Sequence, residues 1–313
     1  MYDTVNLRLN SEEAGAVSIM EETPAYLCPD SLALHDYNGY PVATGRVGNL
    51  SVSVTPHRVK VGGGSLARWF SGSNLHTLTR GEVRQAVEAL SDTLHLPLDR
   101  ATVVRFDIGT NLQMDQPAPA YFSHLGPMKG ATRLEQPNAL YYKTRGGSVV
   151  VYDKGQEARA RGEPLPEQYQ GGHLLRCERR YLGRLKPLFG TVTGATLYQP
   201  DFFNQAIAQW LNSYKSITKT NDITANFTMI TSKRQFYKLA VLELIKDQGG
   251  ETRFLHQIDQ ARRQGTLTPK QAYTLRQAVK EVCKTGGGLT SPSQAITELD
   301  SKMEEAAKYY TSE

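Results

Sequence analysis

The chain has 313 residues, enough for one large domain or two smaller ones, and its 39% hydrophobic content excludes a wholly disordered protein. Its net charge of +5 favours a polyanionic partner. Cys28, Cys177 and Cys283 form no C-x-x-C pair, which excludes a zinc ribbon or thioredoxin-type site and indicates a reducing compartment. The sequence has no apolar run of membrane-spanning length and no signal-peptide pattern, so we expect a cytoplasmic protein.

Strand patterns dominate the first 200 residues. Alternating apolar side chains, or clusters of Val, Ile and Tyr, predict strands at residues 4–9, 50–54, 102–108, 148–152 and 174–180. Thr79 and Glu82 form a capping box that begins a predicted helix at residues 80–94. Residues 115–138 are rich in Pro and Gly and are predicted to form a long loop.

Helix patterns take over after residue 200, so we predict one domain at residues 1–200 and a helical domain at 201–313. Its predicted helices lie at residues 201–210, 233–247, 251–264 and 269–284, and the tail from residue 291 is either a solvated terminal helix or a frayed end. Arg276, Lys280 and Lys284 form a basic stripe on the fourth helix. The last two helices therefore form either a helix-turn-helix that binds duplex DNA or a simple helical hairpin.

Positive charge is concentrated at residues 141–190, where ten Lys and Arg face five Asp and Glu. The window is also rich in strands and in tyrosines, namely Tyr141, Tyr142, Tyr152, Tyr169 and Tyr181. Cations that follow phosphates, together with aromatic rings that stack on bases, are typical of a groove for single-stranded nucleic acid. The alternative is a sheet edge protected by charge.

Two strands carry an Arg and an acid at alternate positions. Arg105 shares a strand face with Asp107, and Arg176 shares one with Glu178, because successive side chains point to opposite faces. The pairs form either a salt-bridge ladder or, if Asp107 and Glu178 lie side by side, a site for Mg²⁺ or Mn²⁺.

Tyr152 and Lys154 lie near the end of an apolar strand. A tyrosine, with a pKa of about 10, is a weak nucleophile unless a cation favours the phenolate and a metal polarises the electrophile. Lys154 is placed for the first task. Attack on a phosphodiester suits this chemistry, because the phosphotyrosyl ester has a similar energy and can be rejoined. The alternative is a ring packed at a sheet edge.

Five motifs occur in the order and spacing of a known family. They lie at residues 2–9, at 64–74 (Gly-Ser-x-x-Arg-x-x-x-Gly-x-Asn), at 104–107, at 140–142 with 151–157, and at 175–178. Together they resemble the phage replication proteins of the filamentous-phage gene II/X group, distant relatives of the rolling-circle initiators of staphylococcal plasmids. The resemblance covers about residues 1–190.

The resemblance implies an α+β fold built on antiparallel sheets of the replication-initiator (HUH-like) type. It implies an endonuclease that nicks one strand at an origin, stays attached to the 5′ phosphate through Tyr152 and leaves a 3′ hydroxyl primer. Lys154 is then the cationic helper, and Asp107 and Glu178 bind Mg²⁺ or Mn²⁺. The implied partners are DNA and host replication proteins such as a helicase, in the cytoplasm of a bacterial host.

The sequence departs from the plasmid relatives at two positions. Asn111 and Arg180 lie in regions where those proteins carry second acids, and no His-hydrophobic-His pair is present. His57 and His173 are therefore further candidate ligands. The same chemistry also serves relaxases and transposases, and a non-catalytic single-stranded DNA-binding protein is the rival from another class.

Candidate DNA contacts complete the sequence predictions. The residues expected to bind phosphates are Arg68, Arg105, Lys143, Arg145 and Arg176. For Arg68, the backbone N–H groups of residues 62–64 and a short helix capped by Ser65 would complete a phosphate clamp. The alternative is an ordinary strand–turn–helix junction with Trp69 and Phe70 in the core.

Overall fold

A computed structural model describes residues 1–15, 18–183, 185–220, 230–248, 250–286 and 293–312. The chain divides into two compact units, one formed by Met1–Thr218 with Glu298–Glu313 and the other by Lys219–Thr297. The predicted functional division at residue 200 stays a prediction. Within the described residues, no helix is both long enough and apolar enough to cross a membrane.

A large antiparallel sheet forms the first unit. The described strands of the chain are β1 (Tyr2–Asn10), β2 (Ala33–Tyr37), β3 (Tyr40–Val47), β4 (Leu50–Thr55), β5 (Arg58–Gly62), β6 (Thr102–Met114), β7 (Leu125–Met128), β8 (Thr132–Gln136), β9 (Ala139–Thr144), β10 (Gly147–Asp153), β11 (His173–Leu182) and β12 (Ile217–Lys219). Ten of them follow the order β2-β3-β4-β5-β1-β6-β11-β10-β9-β8, and β7 pairs with β12. This order places the predicted catalytic strands β6, β11 and β10 side by side.

Helices cover part of the sheet and form the second unit. They are α1 (Ser11–Ala14), α2 (Ile19–Glu22), α3 (Leu66–Ser71), α4 (Arg80–Leu94), α5 (Ala118–Phe122), α6 (Lys154–Ala160), α7 (Lys186–Phe189), α8 (Pro200–Lys215), α9 (Lys233–Asp247), α10 (Gly250–Arg263), α11 (Pro269–Gly286) and α12 (Gln294–Ser312). The large antiparallel sheet and the C-terminal helices agree with the predicted α+β class. The HUH-like assignment stays a prediction.

The periodic segments occur where the sequence predicts them, but two predictions are wrong. Residues 115–138 contain α5, β7 and β8 rather than a loop, because Arg133 and Tyr142 bind backbone carbonyls such as that of Leu125 and hold the segment in place. The predicted terminal helix is present as α12, but the prediction that this helix is solvated is wrong, since α12 buries Leu299 and Met303.

One face of the sheet is apolar and is packed by α8. Phe202, Phe203 and Trp210 are buried, and the Trp210 indole N–H donates to the Cys177 carbonyl over 3.0 Å. α12 packs alongside, since the Tyr214 hydroxyl of α8 donates to its Asp300 carboxylate over 2.5 Å. These contacts make both helices part of the first unit, and they leave the opposite face of β6, β11 and β10 for the polar residues.

The second unit has its own small core, formed by Ile245, Ile258, Ala272, Val279 and Val282 of α9, α10 and α11. Arg276 forms an ion pair with Asp259, which joins α10 to α11. The basic stripe is therefore partly neutralised, while the Lys280 side chain stays exposed. The ion pair of Arg276 with the neighbouring helix is the contact that the helical-hairpin alternative predicts.

Candidate active site

The polar residues of three adjacent strands project from one face of the sheet. The register pairs Arg176 of β11 with Tyr152 of β10, and Arg180 of β11 with Asp107 of β6. Alternation along the strands then puts Glu178 on the same face. The structure thus brings together four of the predicted site residues and adds Arg180.

The Tyr152 hydroxyl donates a hydrogen bond to Glu178 Oε1 over 2.9 Å. Glu178 is 2% exposed, and it also contacts Arg176 Nε at 2.6 Å and Arg180 Nη2 at 2.8 Å. Burial alone would raise the pKa of Glu178, but the two guanidinium groups outweigh burial and lower it. Glu178 is therefore a carboxylate that holds the tyrosine proton in place.

Tyr152 is a neutral phenol in this arrangement. Burial raises its pKa well above the ordinary value of 10, and the charge of Glu178 adds to this effect while that of Arg176 opposes it. A preformed phenolate, which the sequence prediction assumed, is thus disfavoured. A nucleophilic role for Tyr152 would require the proton to leave as the hydroxyl attacks.

Lys154 is buried, and its ammonium is bound away from the Tyr152 hydroxyl. It donates to Asn74 Oδ1 over 2.9 Å and to Glu157 Oε2 over 2.5 Å. β10 ends at Asp153, whose side chain caps α6, so Lys154 belongs to the helix and not to a strand face as predicted. Its role as helper of the nucleophile stays a prediction.

The burial of Arg176 contradicts the prediction that this residue contacts DNA. Its side chain has 0% exposure, and it forms ion pairs with Asp3 Oδ2 at 3.2 Å and with Glu178, while Nη1 donates to the Asn74 carbonyl over 2.7 Å. A residue enclosed in this way cannot reach a phosphate. Arg176 instead links the first strand, the residue 64–74 segment and Glu178.

A surface cavity of about 300 Å³ opens beside Tyr152. It is lined by Tyr141, Tyr152, Asp153, Gln156, Glu157 and Arg180, among other residues. Lys143 lies on the same face, opposite Ser148 of β10, and Arg145 follows β9. Both are exposed and form no ion pair with any described residue, so they remain candidate phosphate contacts. Arg184, another cation of this basic window, lies outside the described residues.

Residues 1–202 match a family model described as the N-terminal part of a phage replication-associated protein. The chain belongs to this family. The match contains every residue of the polar face described above and ends in α8. It places the chain among phage replication proteins, while the gene II/X subgroup stays a prediction. No curated protein matches the chain.

The structure explains the residue 64–74 motif of this family member through contacts at both of its ends. Ser65 caps α3 and its hydroxyl donates to Asp3, while Asn74 accepts the Lys154 ammonium. Arg68 is paired with Glu163 and is 30% exposed, so phosphate binding by Arg68 requires that pair to open. Trp69 is half-buried, so it does not lie in the core as the strand–turn–helix alternative predicted.

The predicted salt-bridge ladder is present. Arg105 contacts both Asp107 oxygens, at 3.0 and 2.6 Å. Burial raises the pKa of Asp107 and the nearby charge of Glu178 adds to this, although Arg105 opposes it. The two carboxylates are therefore close enough to repel each other.

The donor set fits a hard divalent cation. Asp107 and Glu178 supply the oxygen ligands that Mg²⁺ or Mn²⁺ prefers. Arg105 and Arg180 are 32% and 29% exposed, so their guanidinium groups can turn toward a phosphate and release carboxylate oxygens. The described residues contain no cluster of three or more His, Cys, Asp or Glu suited to a metal, so water would complete the shell.

The two candidate histidine ligands lie elsewhere. His57 is in the turn between β4 and β5, and His173 begins β11 at a position that alternates away from Glu178. Asp3, Asn74 and Arg180 were missed as site residues. Asp3 and Asn74 do lie within the recognised motifs, and this position was the sequence feature that could have marked them as site residues.

Arg176→Gln is expected to reduce the free energy of unfolding by about 3–5 kcal/mol, because it leaves buried carboxylates without their cation. Chemical denaturation measures this loss, with Lys143→Gln as a matched control on an exposed cation of the same face. A loss below about 1 kcal/mol would contradict the central position of Arg176.

Proposed function

We propose that the chain initiates phage DNA replication by nicking one strand at an origin, with the Tyr152 hydroxyl as the nucleophile. The observation that supports this proposal is the hydrogen bond from the Tyr152 hydroxyl to the buried Glu178 carboxylate, at the wall of an open cavity. The family supplies the replication context.

In the proposed step, the Tyr152 oxygen bonds to the scissile phosphorus and the bond from phosphorus to the 3′ oxygen breaks. The phenolic proton passes to Glu178, and the leaving 3′ oxygen takes a proton from solvent in the cavity. The products are a 5′-phosphotyrosyl ester and a free 3′ hydroxyl, so the strand can be extended as a primer. No nucleotide cofactor is needed, because the ester keeps the energy of the phosphodiester.

Arg180 and Arg105 suit the scissile phosphate. Arg180 lines the cavity with Tyr152, and both guanidinium groups are partly exposed while held by buried carboxylates. A guanidinium binds phosphate oxygens in a bidentate manner and stabilises the charge that develops during transfer. Mg²⁺ or Mn²⁺ held by Asp107 and Glu178 would supply Lewis-acid polarisation of the phosphate.

The experiment that tests this function uses purified protein and labelled circular DNA of its own replicon, with Mg²⁺ or Mn²⁺. A covalent protein–DNA band together with a nicked circle supports the proposal. Tight binding without any nick or adduct would favour the non-catalytic single-stranded DNA-binding alternative.

Asp107→Asn is expected to slow cleavage by about 100-fold or more at limiting Mg²⁺, since it keeps the shape but removes the charge that binds the cation. Glu178→Gln is expected to behave alike, and chelation by EDTA should stop the wild-type reaction. Glu135→Gln, which also removes an Arg-paired carboxylate of the sheet, is the control. Normal cleavage by Asp107→Asn at limiting Mg²⁺ would make Asp107 a structural partner of Arg105 alone.

A further inference from the structure

The other half of the polar face, on strands β1 and β3–β5, contains a second and larger cavity. Its volume is about 670 Å³, and we call it the N-terminal groove. Three cations line it, Arg8, Arg46 and Lys60, together with the hydroxyl-bearing side chains of Thr44, Ser51 and Ser53. Among the residues that line this groove there is no Asp or Glu, so its field attracts anions.

The cations of the N-terminal groove have no partner within the part of the chain that the structure describes. Arg8, Arg46 and Lys60 form no ion pair or side-chain hydrogen bond with any residue that the structure describes, whereas Arg105, Arg176 and Arg180 near Tyr152 are all paired. The Arg8 Nε atom is buried and has no hydrogen-bond acceptor among the described atoms. A buried donor without an acceptor is costly, which points to an external acceptor.

Exposed aromatic rings continue the same face. Tyr37 of β2 pairs with Tyr40 of β3, and both rings are 63% exposed. Because side chains alternate along a strand, Tyr40 lies on the same face of β3 as Thr44 and Arg46. The strand register pairs Thr44 with Ser53 and Ser53 with Lys60, so Tyr40 and Lys60 lie on the same face of the sheet. Unpaired cations with interleaved aromatic rings bind single-stranded nucleic acid, because phosphates meet the cations and unpaired bases stack on the rings.

The N-terminal groove is continuous with the candidate active site. Arg8 pairs with Lys60 across β1 and β5, and Asn6, two residues before Arg8, pairs with Arg105 of β6. Strands β6 and β11 separate β1 from β10, so strand spacing places the strand of Arg8 roughly 14 Å from the strand of Tyr152. A DNA strand held at Tyr152 can therefore continue over this face.

We propose that the N-terminal groove binds the single-stranded DNA that flanks the cut site, with Arg8, Arg46 and Lys60 on phosphates and Tyr37 and Tyr40 stacked on bases. The identity of that strand rests on the proposed function. Duplex DNA is a poorer occupant, because its bases are already stacked and cannot use the exposed rings.

Fluorescence anisotropy with labelled oligothymidine, at several salt concentrations, tests this proposal. Arg46→Ala with Lys60→Ala changes only exposed side chains, and adding Arg8→Ala completes the set. For a strand of about 16 nucleotides, the log–log salt slope of the triple variant should be shallower by about 2, and its affinity should fall at least about ten-fold. Tyr37→Ala with Tyr40→Ala should weaken binding about five-fold or more and leave the slope unchanged.

Arg100→Ala is the matched control, because Arg100 is exposed, lies outside the groove and has no ion-pair partner among the described residues. Groove variants that match this control in affinity and slope would overturn the proposal. So would a duplex competitor that displaces oligothymidine as well as a single strand does. Nicking by the wild-type protein separates the two ideas: if the wild-type protein nicks no DNA but the groove variants still lose affinity, the proposed function fails and the groove stands.

Discussion

Tyr152→Phe is expected to abolish nicking and the covalent protein–DNA adduct while DNA affinity stays nearly unchanged. The substitution removes only the hydroxyl that would form the phosphotyrosyl bond, so the ring, its packing and the cavity persist. The hydrogen bond to Glu178 is lost, at a cost of about 1 kcal/mol in the free energy of unfolding. Denaturing gel electrophoresis of the reaction with labelled origin DNA measures the adduct, and anisotropy measures binding.

Tyr141→Phe is the matched control, because Tyr141 lines the same cavity on the next strand and should not form the ester. An adduct that survives Tyr152→Phe but not Tyr141→Phe would transfer the role to Tyr141. Two other tyrosines of the basic window are poor substitutes: Tyr142 is enclosed and bound to the Leu125 and Gly126 carbonyls, and Tyr181 is buried on the apolar face.

The sequence was sufficient where structure depends on local periodicity. Alternation on the strand containing Asp107 correctly predicted that Arg105 lies beside it, and the capping box of Thr79 with Glu82 occurs at the start of α4. These features need only the repeat of one element or hydrogen bonds three residues apart.

Local patterns could not show which elements meet. In the sequence, Arg176 looks like a surface cation in a basic window. It is buried only because β11 pairs with β10 and β6 and because Asp3 and Asn74 contact its side chain. Charge counting could not show these pairings either. In the 141–190 window, Arg176 is paired with Asp3 and Glu178 and Arg180 is paired with Glu178, whereas the unpaired cations of the N-terminal groove come from three separate strands.

A chain that ends at residue 200 would be expected to cut single-stranded DNA and to lose duplex preference only if it folds, and we expect that it does not fold. It lacks α8 and α12, so the apolar face of the sheet loses the cover of Phe202, Phe203 and Trp210. Each such side chain contributes about 1.5–3 kcal/mol by burial, and a typical domain has only about 5–15 kcal/mol in total. Circular dichroism and thermal unfolding should show no cooperative transition, and a cooperative one would contradict this packing argument.

Deletion of Lys219–Thr297, with a flexible Gly/Ser linker from Thr218 to Glu298, is the informative partner of that truncation. It keeps α8 and the Tyr214–Asp300 hydrogen bond, so the sheet unit should unfold cooperatively and still cut a single-stranded origin oligonucleotide. If α9–α11 read a duplex origin, the deletion should lose its preference for origin over random duplex. Full retention of that preference would show that the basic residues Lys280 and Lys284 do not read the origin, and that sequence recognition lies in the sheet unit.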